Sequence, residues 1–134
     1  MLLARALVVL VAAAAAVLVW VLADPLLEAD LDVRFGDSGP PDHVTARAVG
    51  VTTVAAGLLG WGLLEVLERR SPRGEDIWVA AAVLAMLLSL LGPVIAGMTV
   101  SATVGLLAIH IVAGGTLIAL LPHGIRLRAA ERPA

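Results

Sequence analysis

Residues 77–100 read IWVAAAVLAMLLSLLGPVIAGMTV, and after a single serine residues 102–121 continue as ATVGLLAIHIVAGGTLIALL. Neither stretch holds an Asp, Glu, Lys or Arg. A hydrocarbon core of about 30 Å takes about 20 apolar residues of α-helix, and each stretch supplies one such length. Working outward, Ala6–Ala23 and Ala46–Val66 are two further runs without a formal charge through their centres. The expectation is an all-α polytopic membrane protein in one domain, residues 1–134, with helices at about 4–23, 46–68, 77–97 and 102–121. The very short link between the last two makes them neighbours of opposite direction, which gives an up-down-up-down four-helix bundle.

Composition agrees with the bilayer and narrows the chemistry. Of 134 residues 60% are hydrophobic and 15% charged, and the mean hydropathy is +1.01. Four spans consume most of the chain and leave no separate aqueous catalytic domain. The chain has no cysteine, which excludes disulfides, thiolate metal sites, iron–sulfur clusters and thiol redox chemistry. A proton-coupled exporter of the small multidrug type needs a carboxylate in its first helix, and this first run has none. No serine–histidine–acid pattern, phosphate-cradling glycine loop or nucleic-acid patch is present. The expectation is a non-enzyme without nucleic-acid partner.

All nine basic residues are arginines, and they sort by segment. Arg5, Arg69, Arg70, Arg73, Arg126, Arg128 and Arg132 fall at the N-terminus, in the 69–76 connection and in the 122–134 tail, whereas the 24–45 loop and its edge hold Arg34 and Arg47. The positive-inside rule then places both termini in the cytoplasm and the acidic 24–45 loop outside the plasma membrane. The first run also has features of a signal peptide, with Arg5 ahead of it and Val21-Leu22-Ala23 before Asp24. Its apolar length exceeds the usual 7–15 residues of such a region, and Trp20 stands where an interfacial anchor belongs, so it is read as a retained helix.

The span ends carry local signals. Asp24-Pro25 is expected to stop the first helix, because the residue before proline is biased away from the α conformation. Leu31-Asp32-Val33-Arg34-Phe35 alternates with period two and predicts a short strand or extended segment over the bundle mouth. Asp42 or Thr45 can cap the second helix, Glu65 and Arg69 pair at its end, and Ser71-Pro72-Arg73-Gly74 breaks it. Gly92-Pro93 predicts a kink in the third, and Trp78 an anchor at its inner interface. Small residues at Ala46/Gly50, Ala56/Gly60 and Gly114-Gly115 are candidate helix contacts.

His110, near the middle of the fourth run, is an ionisable group at membrane depth and therefore a candidate site. It shares a helical stripe with Thr103 and Gly114 and lies opposite Ser89 and Pro93 of the third run. Three roles are open: a proton relay, a haem or metal ligand, and a structural hydrogen bond to a carbonyl near the Pro93 kink or Ser89. Haem in such bundles needs a second axial ligand and a metal needs further donors, and no other histidine lies at this depth, so neither cofactor nor metal is expected. The outer loop gathers a second candidate cluster of Asp30, Asp32, Arg34, Asp42, His43 and Arg47. Its Asp30-x-Asp32 start fails as a calcium loop, since Phe35 stands where glycine is required and Pro41 where the closing Glu belongs. A solvated acidic loop whose carboxylates pair with Arg34 and Arg47 accounts for the composition.

Several of these features recur together: Ala23-Asp24-Pro25, Leu31-Asp32-Val33-Arg34, Trp61 with Glu65 and Glu68-Arg69-Arg70, Ser89-Leu90-Leu91-Gly92-Pro93, and His110. The pattern resembles a family of uncharacterised actinobacterial integral membrane proteins, over nearly the whole chain. The resemblance implies a small plasma-membrane protein with a domain of unknown function and supplies no reaction, ligand or catalytic residue. The functional expectation is a structural or regulatory role through helix–helix contacts in the lipid bilayer, with a second copy or another membrane protein as partner. The alternative is a small transport or ligand-binding bundle with a polar pocket around His110, Ser89, Thr103 and Pro93.

Overall fold

The computed structural model describes residues 2–36 and 39–123. The expected basic tail with Arg126, Arg128 and Arg132, and Asp37 of the acidic loop, lie outside the described residues. Helix α1 spans Leu2–Val21, α2 Ala46–Arg70, α3 Gly74–Ser89, α4 Leu91–Ala96 and α5 Val100–Leu120. With α3 and α4 counted as one span, the described residues hold four helices long and apolar enough to cross a membrane.

Sequence chemistry explains most boundaries. Thr45 Oγ1 accepts the Ala48 N–H at 3.1 Å and caps α2, while Asp42 lies in a strand instead. Thr99 Oγ1 caps α5 in the same way, taking the Ala102 N–H at 3.0 Å, so this helix starts two residues earlier than expected. At the α2–α3 turn Ser71 ends one helix, and Gly74 N–H donates to Ser71 O at 3.0 Å. A Cβ on Gly74 would collide with the Leu67 carbonyl and lie 2.6 Å from Glu68 N. The hairpin closes this tightly because glycine is there, and the expected 69–76 connection shrinks to residues 71–73.

Two prolines act differently from each other. Asp24-Pro25 does not stop the first helix: the chain continues through a wider π turn, Leu22–Leu26, closed by Leu27 N–H to Leu22 O at 3.1 Å. Proline brings no N–H to the ladder, and one wide turn accommodates that gap. Gly92-Pro93 interrupts the third span at Leu90, between α3 and α4, as proline inside a helix does.

The start of α1 lies against the end of α2. Arg5 meets Glu65, Val9 meets Gly57 and Val17 meets Gly50, so the pairs climb one helix as they descend the other. Helix α1 also packs on α5, α2 on α3, and α3 and α4 on α5. Gly57 lets the bundle close: a Cβ there would fall 2.8 Å from Val9 Cγ1 and 3.3 Å from Leu117 Cδ2. Gly50 and Gly60 sit in ordinary contact with Val17 and Trp78, whereas Ala56 is exposed. Of the expected Gly114-Gly115 patch, Gly114 lies against Met86, whose Sδ would be 2.8 Å from a Cβ there, and Gly115 faces open space. Trp78 is no interfacial anchor; it is 3% exposed and donates its indole N–H to Gly60 O at 2.7 Å.

The 24–45 loop is built, not merely solvated. Strands β1, Asp32–Val33, and β2, Asp42–His43, pair antiparallel with Asp32 opposite His43. The loop also bonds to the segment after α4: Arg34 N–H donates to Ala96 O at 2.9 Å and Met98 N–H to Asp32 O at 3.2 Å. Leu31 is fully buried and rests where a Cβ on Gly105 of α5 would come within 2.7 Å of its Cδ2. Burying one leucine contributes about 2 kcal/mol, so this side chain is the loop's apolar anchor.

Candidate functional site

Of the intramembrane candidates, Thr103 and Pro93 meet at Gly97, where a Cβ would collide with Thr103 Oγ1 and lie 2.7 Å from Pro93 O, whereas no hydrogen bond joins His110 or Ser89 to them among the described residues. His110 is half-buried, and its Nδ1 lies 2.8 Å from Leu106 O, one turn back on the same helix. A carbonyl only accepts, so Nδ1 carries a proton in this bond. Its partner is the helix itself and not a carbonyl near Pro93 or Ser89. Ser89 is exposed and its hydroxyl donates to Met86 O at 2.7 Å, again within its own helix. Pro93 is buried at the start of α4. Thr103 is half-buried on α5, with its Oγ1 against the position a Cβ on Gly97 would take. Its crowding serves the α4–α5 turn.

At the loop end the cluster is assembled around His43. Nδ1 lies 2.8 Å from Asp32 Oδ1 and Nε2 lies 3.1 Å from Asp24 Oδ2. Asp24 is itself held, because its Oδ1 accepts the Leu31 N–H at 3.0 Å. The hydrogen bond to Asp32 raises the His43 pKa, opposed by its desolvation and helped by the negative charge of Asp24. Asp24 was outside the expected cluster and is central to it. Arg34 and Arg47 make no ion pair among the described residues, contrary to expectation; the carboxylates use the histidine. Asp30 and Asp42 contribute backbone: Asp30 O accepts the Asp32 N–H, and Asp42 forms β2. No group of three His, Cys, Asp or Glu side chains among the described residues has the arrangement of a metal site.

The opposite end holds a site that sequence reasoning missed. Arg5 is 1% exposed, donating from Nη1 to Glu65 Oε2 at 2.7 Å and from Nη2 to both Glu68 oxygens at 2.9 and 2.8 Å. Glu65 Oε1 takes a further bond from Arg69 at 2.9 Å, the expected i,i+4 pair. The Arg5 Nε is buried without a partner among the described residues. The signal was legible: one arginine inside the first turn of an apolar run, facing two glutamates at i,i+3 near the end of the run that must neighbour it. A guanidinium stays charged in any protein, so this is a permanent tie between α1 and α2.

Residues 1–126 match the model of a family of unknown function, DUF6069. The chain belongs to DUF6069. No curated protein and no solved structure matches it. The matched residues of this DUF6069 chain include all three clusters, so the Arg5 tie, the His43 pair of bonds and His110 all lie within the family region.

Proposed function

We propose that this DUF6069 chain is an actinobacterial plasma-membrane protein whose four spans run up-down-up-down with both termini cytoplasmic, and that it acts without catalysis, as a structural or regulatory element. The observation that supports this best is the apolar sheath. Large side chains on every span face outward, among them Leu3 at 70% exposure, Leu59 at 76%, Leu88 at 59% and Val104 at 59%. Lipid solvates such a surface, and water does not.

The helix-contact role draws on a trough open to the outside between α1 and α2. It is lined by Ala13, Ala14, Val17 and Leu18 on one side and by Gly50 and Val54 on the other. Helices in lipid associate where small residues let backbones approach, and this trough offers such a face to a helix of a second copy or of another membrane protein. The chain has no cysteine, so Ala14→Cys introduces a single reactive thiol. Thiol cross-linking in native membranes is expected to trap a dimer or a defined heteromeric adduct. A chain that stays monomeric at every cross-linker length overturns the helix-contact role.

A further inference from the structure

We propose that Asp24, His43 and Asp32 form a proton-operated latch that holds the loop across one end of the bundle. This goes beyond the helix-contact role and concerns a different surface. Both ring nitrogens of His43 lie within hydrogen-bond distance of carboxylate oxygens, at 2.8 Å from Asp32 and 3.1 Å from Asp24. An ionised carboxylate only accepts, and a neutral imidazole has one N–H to give. The arrangement is complete only when His43 carries a proton on both nitrogens. A neutral His43 sets a ring lone pair against one of the two carboxylates.

The three side chains come from three places. Asp24 belongs to the wide turn that ends the first span, Asp32 to β1 and His43 to β2. The protonated ring therefore ties both strands to the end of α1. Asp24 and Asp32 are the charged groups that bear on it from the packed elements, while Asp42 precedes it on its own strand. No cation other than His43 pairs with either aspartate among the described residues. What the latch holds is also defined. It keeps Leu31 seated on Gly105 and the loop amides of Arg34 and Val44 bonded to Ala96 and Leu31. Between the wide turn and β1 the chain passes through Glu28 at φ 51° and Asp30 at φ 44°, left-handed conformations that side-chain-bearing residues rarely adopt. Strain of that kind persists only while its surroundings enforce it, so it favours release once the ring is neutral.

The direction of the pH effect follows. A histidine whose pKa is raised on folding contributes its stabilisation in full below the unfolded value of about 6.5 and loses it as pH rises through the folded value. The latch is closed below that unfolded value and loosens as pH rises through the raised folded one. The test is amide hydrogen exchange of the full chain in detergent micelles or bicelles, corrected for intrinsic rates, from about pH 5.5 to about pH 9. Protection of the Arg34, Val44 and Met98 amides is expected to fall several-fold across that range, while Ser71 and Gly74 at the far hairpin stay unchanged. His43→Gln is expected to hold the three loop amides at the low-protection level at every pH, and Asp24→Asn to move the midpoint downward. Loop protection that does not vary with pH in the unsubstituted chain overturns the latch, as does a pH dependence that survives in His43→Gln. Loss of protection at Ser71 and Gly74 as well would show global unfolding and equally overturn it. None of these readings depends on which side of a membrane the loop faces, so the latch and the membrane orientation fail separately.

Discussion

Arg5 is 1% exposed and holds Glu65 and Glu68 at 2.7 and 2.8 Å, whereas His43 is 46% exposed and holds Asp24 and Asp32 at 3.1 and 2.8 Å. Each site has one cationic side chain between two carboxylates, and each ties the first span to a later element. They differ in burial and in whether the cation can lose its proton. The buried guanidinium is charged at every pH, and once desolvated it makes its tie costly to break. The exposed imidazole can lose its proton, at a pKa raised by its hydrogen bond to Asp32, and water screens it, so its tie is weak and adjustable. The same charge pattern thus gives a permanent clamp at one end and a conditional one at the other.

The comparison breaks first at the clamp. Arg5→Met keeps the packing volume and removes the charge, leaving Glu68 and Glu65 facing an apolar partner. A measurable loss in detergent unfolding, the largest of this set, is expected, because Arg5 is 1% exposed and packed between the helices, although Glu65 at 36% and Glu68 at 25% exposure can turn to solvent. A cost below about 0.5 kcal/mol would reduce the clamp to an ordinary surface pair. Gly57→Ala tests the close approach beside it. The new methyl meets the stiff Val9 side chain, and overpacking of this kind costs about 1–3 kcal/mol, recovered in part by adding Val9→Ala. Trp78→Phe removes the indole bond to Gly60 O and is expected to cost about 1 kcal/mol by the same unfolding measurement.

At the other end the effects are smaller and depend on conditions. His43→Gln is expected to change global stability by less than about 1 kcal/mol, because the ring is half in solvent. Its difference from the unsubstituted chain should be largest near pH 6 and should vanish as the pH is raised, since the neutral ring has already lost its second donor. A difference that grows with pH would reverse the sign of the latch.

Much of this was readable from the chain because bilayer-length apolar runs and helix caps are local. The four spans follow from hydropathy alone, and Thr45, Ser71 and Pro93 mark ends or breaks through chemistry confined to a few residues. The loop strand at Asp32–Val33 was legible from its alternation. What escaped was pairing over distance. Arg5 and Glu65 are sixty residues apart, and an arginine near the start of an apolar run reads as a charge entering the headgroups until its neighbour is known. Trp78 and Gly57 escaped for the same reason: a tryptophan at a helix start looks like an anchor until Gly60 beneath it is placed, and Gly57 is one glycine among many until Val9 is placed against it. In the loop cluster composition drew attention to Arg34 and Arg47, but the strand register put His43 opposite Asp32. The wide turn at Asp24-Pro25 brought the second carboxylate, a geometry that no propensity encodes.

The polar groups of this chain tie helices and loop together, and His110, bonded within its own helix, is expected to meet no water path. The chain's lack of cysteine makes that directly measurable with single thiols in native membrane vesicles. Phe35→Cys, at a position 76% exposed in the loop, is the positive control and is expected to react with a membrane-impermeant maleimide from one side. His110→Cys is expected to remain unlabelled from either side while the protein stays folded. Labelling of His110→Cys at a rate comparable to Phe35→Cys would reveal water at the middle of the bundle and contradict the account.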